Sequence, residues 1–241
     1  MLGFLLAVCL ALLHLFVGKL SGFKYVSHRR WISLAGGVSI AYIFLDVFPE
    51  LAHAQEEIEH SEISILAYLE QHVYLLALLG LVLFYGLDKL ALRSRTHNQK
   101  MSQVDATGVG VFWVHIAAFA IYNAILGYLF RESADHGLVA CLLLFITLGL
   151  HFLVNDLGMR EHHKHSYDRL GRWILAAAII AGWAVAQAVI FNPAAIAVIW
   201  AIVAGGIILN VLKEELPEQR ESDFITFLTG ALGYGALLLI V

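Results

Sequence analysis

His151, Asn155 and Asp156 stand four and five residues apart in an otherwise apolar stretch, His151-Phe-Leu-Val-Asn155-Asp156. On a helix this spacing puts all three on one face. A neutral imidazole, an amide oxygen and a carboxylate on adjacent turns make half of a site for a divalent cation. The preceding apolar stretch carries His115 and Asn123, with Phe119 and Tyr122 on the same stripe. If both stretches cross a bilayer, they run in opposite directions. His115 and His151 then each lie about two turns from the same edge, so the expectation is that they face one another in a cavity. An ionisable group at the centre of a membrane helix costs roughly 2.5–3.5 kcal/mol on insertion scales, so it has a partner or a task. Asp46, Glu50, Asn210 and Glu214 lie near the ends of two further apolar stretches and would frame an entrance and an exit. The plain readings are histidines bonded to backbone or water, Asp156 meeting water beside Arg160, and terminal acids that are solvated helix ends.

These residues must be positioned by membrane helices. Sixty per cent of the 241 residues are hydrophobic and 14% are charged, which points to a bilayer protein rather than a soluble domain. Eight stretches approach the roughly 20 residues that span about 30 Å of hydrocarbon: about 2–19, 31–53, 64–90, 108–130, 137–158, 173–191, 194–213 and 223–241. The expected fold is thus an all-α integral membrane protein with eight transmembrane helices in one domain, 1–241. Asn192-Pro193 separates the sixth and seventh, with proline suited to a helix start. The first stretch lacks a basic leader and a small-residue cleavage site, so it reads as a retained helix rather than a signal peptide. Cys9 and Cys141 fall inside apolar stretches and read as packing residues. Of the 15 Lys and Arg residues, 14 lie in or beside odd-numbered loops and only Arg131 lies beside an even one. The positive-inside rule then places both termini outside.

The chain also repeats itself. Residues 35–50 open with Ala-Gly-Gly and close with Asp46-Val-Phe-Pro49-Glu50. Residues 204–218 open with Ala-Gly-Gly and close with Glu214-Glu215-Leu-Pro217-Glu218, with spacing that differs by one residue. The predicted topology sends these two helices in opposite directions, as an inverted repeat requires. The first three helices would pair with the last three, leaving the fourth and fifth between them.

This arrangement resembles the ZIP (Zrt/Irt-like) family of divalent metal transporters. The resemblance implies a three-plus-two-plus-three inverted repeat and transport of zinc or a similar cation as substrate, with no resident cofactor. The family's second and seventh helices commonly end in Pro-Glu, matched here by Pro49-Glu50 and Pro217-Glu218. Its fifth helix commonly carries His-Glu-x-Pro-His-Glu. Here the first histidine is kept as His151, the second is Asn155, the final Glu is Asp156, and the proline is absent. Anchored on Gly127, the family's fourth-helix ligand positions fall on Ala118, Phe119 and Tyr122, so none of those ligands survives. The expectation is one weak divalent site, with His151 and Asp156 as main ligands, Asn155 beside them and His115 as a further candidate.

Two polar stretches read as loops. His53 to Glu62, acidic and histidine-containing, would gather cations outside or simply be an acidic outer loop. His162-His163-Lys164-His165 would lie inside and meet metal weakly or phospholipid headgroups. The expected partners are the lipid bilayer and a divalent cation, with no nucleic acid; a homodimer is compatible with the sequence. No enzyme activity is expected, although an integral-membrane metal hydrolase would also use buried His and Asp. Such an enzyme needs three strong ligands and a water position, and no His-x-x-x-His pair occurs on a late helix. A non-transporting ZIP-like scaffold is the other alternative, and it accounts for the lost fourth-helix ligands.

Overall fold

The computed structural model describes residues 2–20, 28–59, 72–133, 137–215 and 223–240. Among these residues every regular element is helical. The rods are α1 (Leu2–Leu20), α2 (28–59), α3 (Val73–Ser102), α4 (Val109–Ser133), α5 (Leu138–His163), α6 (Tyr167–Ala188), α7 (193–215) and α8 (Phe224–Ile240). Three of them carry a π-helical segment: Ile43–Val47 inside α2, Tyr167–Gly171 opening α6, and Val211–Glu215 closing α7.

Among the described residues six rods, α2 to α7, are long and apolar enough to cross a membrane, which makes this a multi-pass membrane protein. The apolar stretches of α1 and α8, Gly3–Gly18 and Phe224–Leu239, are shorter. At about 1.5 Å per residue each covers about 24 Å, less than the hydrocarbon thickness of about 30 Å. Several rods outrun the lengths that hydropathy predicts. α2 continues through Glu59, so the first half of the expected outer loop is helix, with His53 and Glu56 an exposed pair at 3.5 Å. α3 extends to Ser102, and residues 64–71, where this helix is expected to begin, lie outside the described residues. α5 continues to His163, which turns two members of the expected His162–His165 loop into helix. Polar residues continue a helix as well as apolar ones once it leaves the hydrocarbon, so apolarity alone stops too early.

The chain forms two compact units. One holds residues 1–22 and 85–189, the other residues 23–84 and 190–241. In the first, α4 and α6 run antiparallel at very close range. A side chain at Gly182 would meet the Ala124 carbonyl, and one at Gly127 the Ile179 carbonyl. Glycine is required at both crossings because backbone lies directly opposite. α1 runs alongside α5, with Leu13 and Leu10 over Gly149 and the Arg160 guanidinium over Gly18.

In the second unit the same device appears twice. Gly37 of α2 lies against the Phe227 carbonyl, and Gly230 of α8 against the Leu34 carbonyl. Gly205 of α7 lies against the Ala77 carbonyl, and Gly80 of α3 against the Ile202 carbonyl. Within this unit α2 and α7 run antiparallel: residues 48–59 pack on 193–210, while 211–215 pack on 28–42. The π segment of α2 begins six residues after Gly37, and that of α7 six residues after Gly205. Gly37 therefore corresponds to Gly205 rather than to Gly206. In that register the one-residue difference in spacing disappears, and Pro49 falls opposite Pro217 in the alignment.

A polar network closes one end of the first unit. Arg95 donates from Nε to Asp105 at 2.6 Å and from Nη1 to Glu161 at 3.0 Å, and Lys164 Nζ reaches Asp105 at 3.3 Å. Hydrogen bonding from Arg95 holds the Asp105 carboxyl down from the ordinary 3.8 to about 2. Its native value is depressed, so its contribution to stability is complete above 3.8 and is lost as pH falls through about 2. Because Asp105 is solvent-exposed, the effect on stability is small. Arg95→Gln should return the Asp105 titration to the ordinary carboxylate range, read by NMR of labelled aspartate.

Candidate functional site

The polar residues that hydropathy singles out in the middle of the chain all fall in the first unit. His115, Asn123, His151, Asn155 and Asp156 are each buried. Two more buried imidazoles accompany them, His14 on α1 and His163 at the end of α5. All of these groups lie on α1, α4 and α5, whose other faces expose apolar side chains such as Leu5, Leu12, Val114, Ile121, Leu142 and Ile146.

The structure sorts them into three hydrogen-bonded groups. In the first, the Tyr122 hydroxyl of α4 lies 2.6 Å from His151 Nε2, and Asn155 Nδ2 lies 3.2 Å from the same nitrogen. Nε2 has one lone pair, and in the tautomer that accepts from the Tyr122 O–H this lone pair is engaged. A cation reaching His151 through Nε2 must first displace the phenol. Tyr122 is thus an internal hydrogen-bond partner of His151.

In the second group, His14 Nδ1 lies 2.9 and 2.8 Å from the two oxygens of Asp156. The two side chains are 1% and 0% exposed. Asp156 therefore does not meet water beside Arg160, whose guanidinium instead binds Asp168 at 2.8 Å. In the third group, His115 Nδ1 lies 2.9 Å from His163 Nε2, and His163 Nδ1 meets the Thr107 hydroxyl. His163 is twelve residues along α5 from His151, about 18 Å by helical rise. His115 is thus not level with His151, and the four expected ligands do not meet in one cluster. The reason is the crossing of α4 on α5, which places Tyr122 rather than His115 beside His151.

Among the described residues no group of three or more His, Cys, Asp or Glu side chains is placed to hold a metal ion. The second half of the His162–His163 pair is buried, and His162 Nε2 lies 3.3 Å from Asp88. These two histidines are therefore directed at protein, not at headgroups. Asn123 turns back on its own helix, donating from Nδ2 to the Phe119 carbonyl at 2.8 Å.

The expected pathway residues Asp46, Glu50 and Asn210 belong to the second unit. Asp46 sits in the π segment of α2 and is bonded by the Tyr42 side chain, with Glu50 one turn on. Glu50 is exposed and Asn210 half-buried. Glu214 lies in the π segment of α7, and its side chain lies outside the described residues. π segments recur at functional sites in helices, and these two carry acids at matching positions of the alignment.

Sequence reading missed His14. Its signal was available: it is the one Asp, Glu, Lys, Arg or His between Leu2 and Val17 in an apolar helix, and a lone buried ionisable group asks for a partner. No family model, curated protein or solved structure matches the chain.

Proposed function

We propose that this protein moves a divalent metal cation, zinc or a similar ion, across a membrane through a ZIP-like bundle of eight helices with both termini outside. The observation that carries this reading is the set of buried imidazole, amide and carboxylate groups on α1, α4 and α5. Buried ionisable groups inside membrane helices mark ion and proton paths. The paired Gly37/Gly230 and Gly205/Gly80 crossings, with π segments at equal offsets, support an inverted repeat. The site is one weak position centred on His151 and Asn155, with Asp156 one residue on. Two ligands of this kind give low affinity.

A second reading has its own observation. His151 Nε2 is taken by Tyr122 and Asp156 by His14, so both family ligands are satisfied internally. A non-transporting membrane scaffold needs nothing more. Flux into proteoliposomes loaded with a metal-sensitive dye separates the two. Transport predicts saturable entry of at least one of zinc, manganese, iron and cadmium, and absence of entry for all four puts the scaffold first.

A further inference from the structure

We infer that the projecting end of α3 docks the headgroups of anionic phospholipids through Lys89, Arg93 and Lys100, with His97 beside them. The site holds whether or not any cation moves. α3 runs for 30 residues, Val73–Ser102. At about 1.5 Å per residue it is about 45 Å long, against about 30 Å of hydrocarbon, so about ten residues project beyond the lipid tails. Positions 89, 93, 97 and 100 follow one another at helical spacing and share one face.

That face changes character along its length. Leu75, Leu78 and Val82 come first on it and are exposed and apolar, and Tyr85 follows as an exposed aromatic. Lys89 then lays its ammonium over the Tyr85 ring, 5.1 Å from the centroid. Arg93, His97 and Lys100 are exposed beyond it. Apolar, aromatic, basic is the order in which one leaflet meets a helix, because Tyr and Trp settle at the membrane–water interface. A second rod gives the same level. The Gly108 N–H donates to Ser94 Oγ at 2.9 Å, so the start of α4 stands beside Ser94. Trp113, which is exposed, lies five residues down α4 from Gly108. That is about 7.5 Å, the height of Lys89 on α3. The basic stripe therefore begins where headgroups begin.

The protein leaves the stripe unneutralised. The opposite face of α3 is committed to protein: Ser94, Arg95 and Asn98 hold Gly108, Asp105 and the Ala106 carbonyl. The acids at this end are engaged elsewhere. Arg95 binds Asp105 and Glu161, Arg160 binds Asp168, and Asp88 lies 3.3 Å from His162. Among the described residues Lys89, Arg93, His97 and Lys100 take part in no ion pair. Each Lys or Arg close to an anionic lipid surface is worth about fivefold in binding. On the topology proposed above this end is cytoplasmic, the side whose leaflet carries anionic lipid. A soluble anion would use the charges but not the apolar and aromatic part of the same face.

Native mass spectrometry of the full-length protein in detergent tests this, with dioleoyl phosphatidylglycerol and dioleoyl phosphatidylcholine as probes. Wild type should hold phosphatidylglycerol at least about tenfold more tightly. Arg93→Gln should lower that preference about fivefold, and Lys89→Gln/Arg93→Gln/Lys100→Gln should remove it. Arg95→Gln takes a charge from the same helix but from the face turned to Asp105, and it should keep the wild-type preference. Equal binding of the two lipids by wild type overturns the site. So does a preference that survives the triple change, or one that Arg95→Gln lowers as much as Arg93→Gln does. A second measurement needs no variant. Phosphatidylglycerol with a photoactivatable headgroup, in nanodiscs with wild-type protein, should label residues 89–100 more strongly than the phosphatidylcholine analogue does. Equal labelling there by both analogues, or labelling confined to other rods, overturns the site. Glycerol 3-phosphate bound as tightly as the lipid would overturn lipid as the occupant in favour of a soluble anion.

Discussion

Gly182→Ala should lower the stability of the first unit by about 3 kcal/mol, the upper part of the range for overpacking. The added methyl meets the Ala124 carbonyl of α4 well inside van der Waals contact. Side chains can rotate out of the way, but a helix backbone cannot, so α4 and α6 must separate. Separation opens the packing between them and strips Gly127 of its own contact with Ile179. In a chain of this size the loss corresponds to a fall in melting temperature of about 6–12 °C, measured as loss of native protein on heating in detergent. Gly86→Ala is the control. Nothing lies within 4 Å of a side chain there, and alanine is the better helix former by about 1 kcal/mol. The control should melt at or slightly above wild type. Adding Gly127→Ala to Gly182→Ala should cost less than Gly127→Ala alone, because the first change has already parted the two helices. Equal melting of Gly182→Ala and Gly86→Ala would mean that the α4–α6 crossing is not the close contact described.

Much of the helical framework was legible from hydropathy, because a membrane helix announces itself by length and apolarity. The Ala-Gly-Gly segments, legible as marks of a repeat, lie at two close crossings that only the structure reveals, where glycine lets backbones touch. What hydropathy misjudged were helix ends. Glu59, Ser102 and His163 end their helices beyond the apolar stretch, and nothing in a polar residue stops a helix as proline or glycine does. The π segments were invisible for a different reason: an extra residue in one turn is set by tertiary packing and has no composition of its own. At the site, spacing placed His151 and Asn155 on one face, as found. Partners across helices were another matter. The pairing of Asp156 with His14, 142 residues away, and of His115 with His163 depends on which helix lies against which and at what height. Depth counted from a predicted helix end carries the error of that end. That error is why His115 was expected opposite His151 when Tyr122 is there instead.

His151→Ala should abolish any metal flux, and Tyr122→Phe should strengthen metal binding. The first follows from ligand chemistry. His151 is the imidazole of the Tyr122–His151–Asn155 group; His14 and His163 are committed to Asp156 and His115. Asn155 alone offers a neutral amide, a poor ligand for zinc. The second follows from competition for one lone pair. The Tyr122 hydroxyl lies 2.6 Å from Nε2, and a cation binding there must first break that hydrogen bond. A bond of this kind has a net worth of about 1 kcal/mol, which converts to roughly fivefold in affinity. Phenylalanine keeps the ring and removes the hydroxyl, so the packing of α4 on α5 is retained. Zinc should therefore half-saturate Tyr122→Phe at about one fifth of the wild-type concentration, measured by calorimetry on purified protein and by the concentration dependence of flux. The two changes together should behave as His151→Ala, because the phenol acts only through that nitrogen. Wild-type flux in His151→Ala would show that the cation does not pass this imidazole. Unchanged affinity in Tyr122→Phe would show that the phenol is not what guards it.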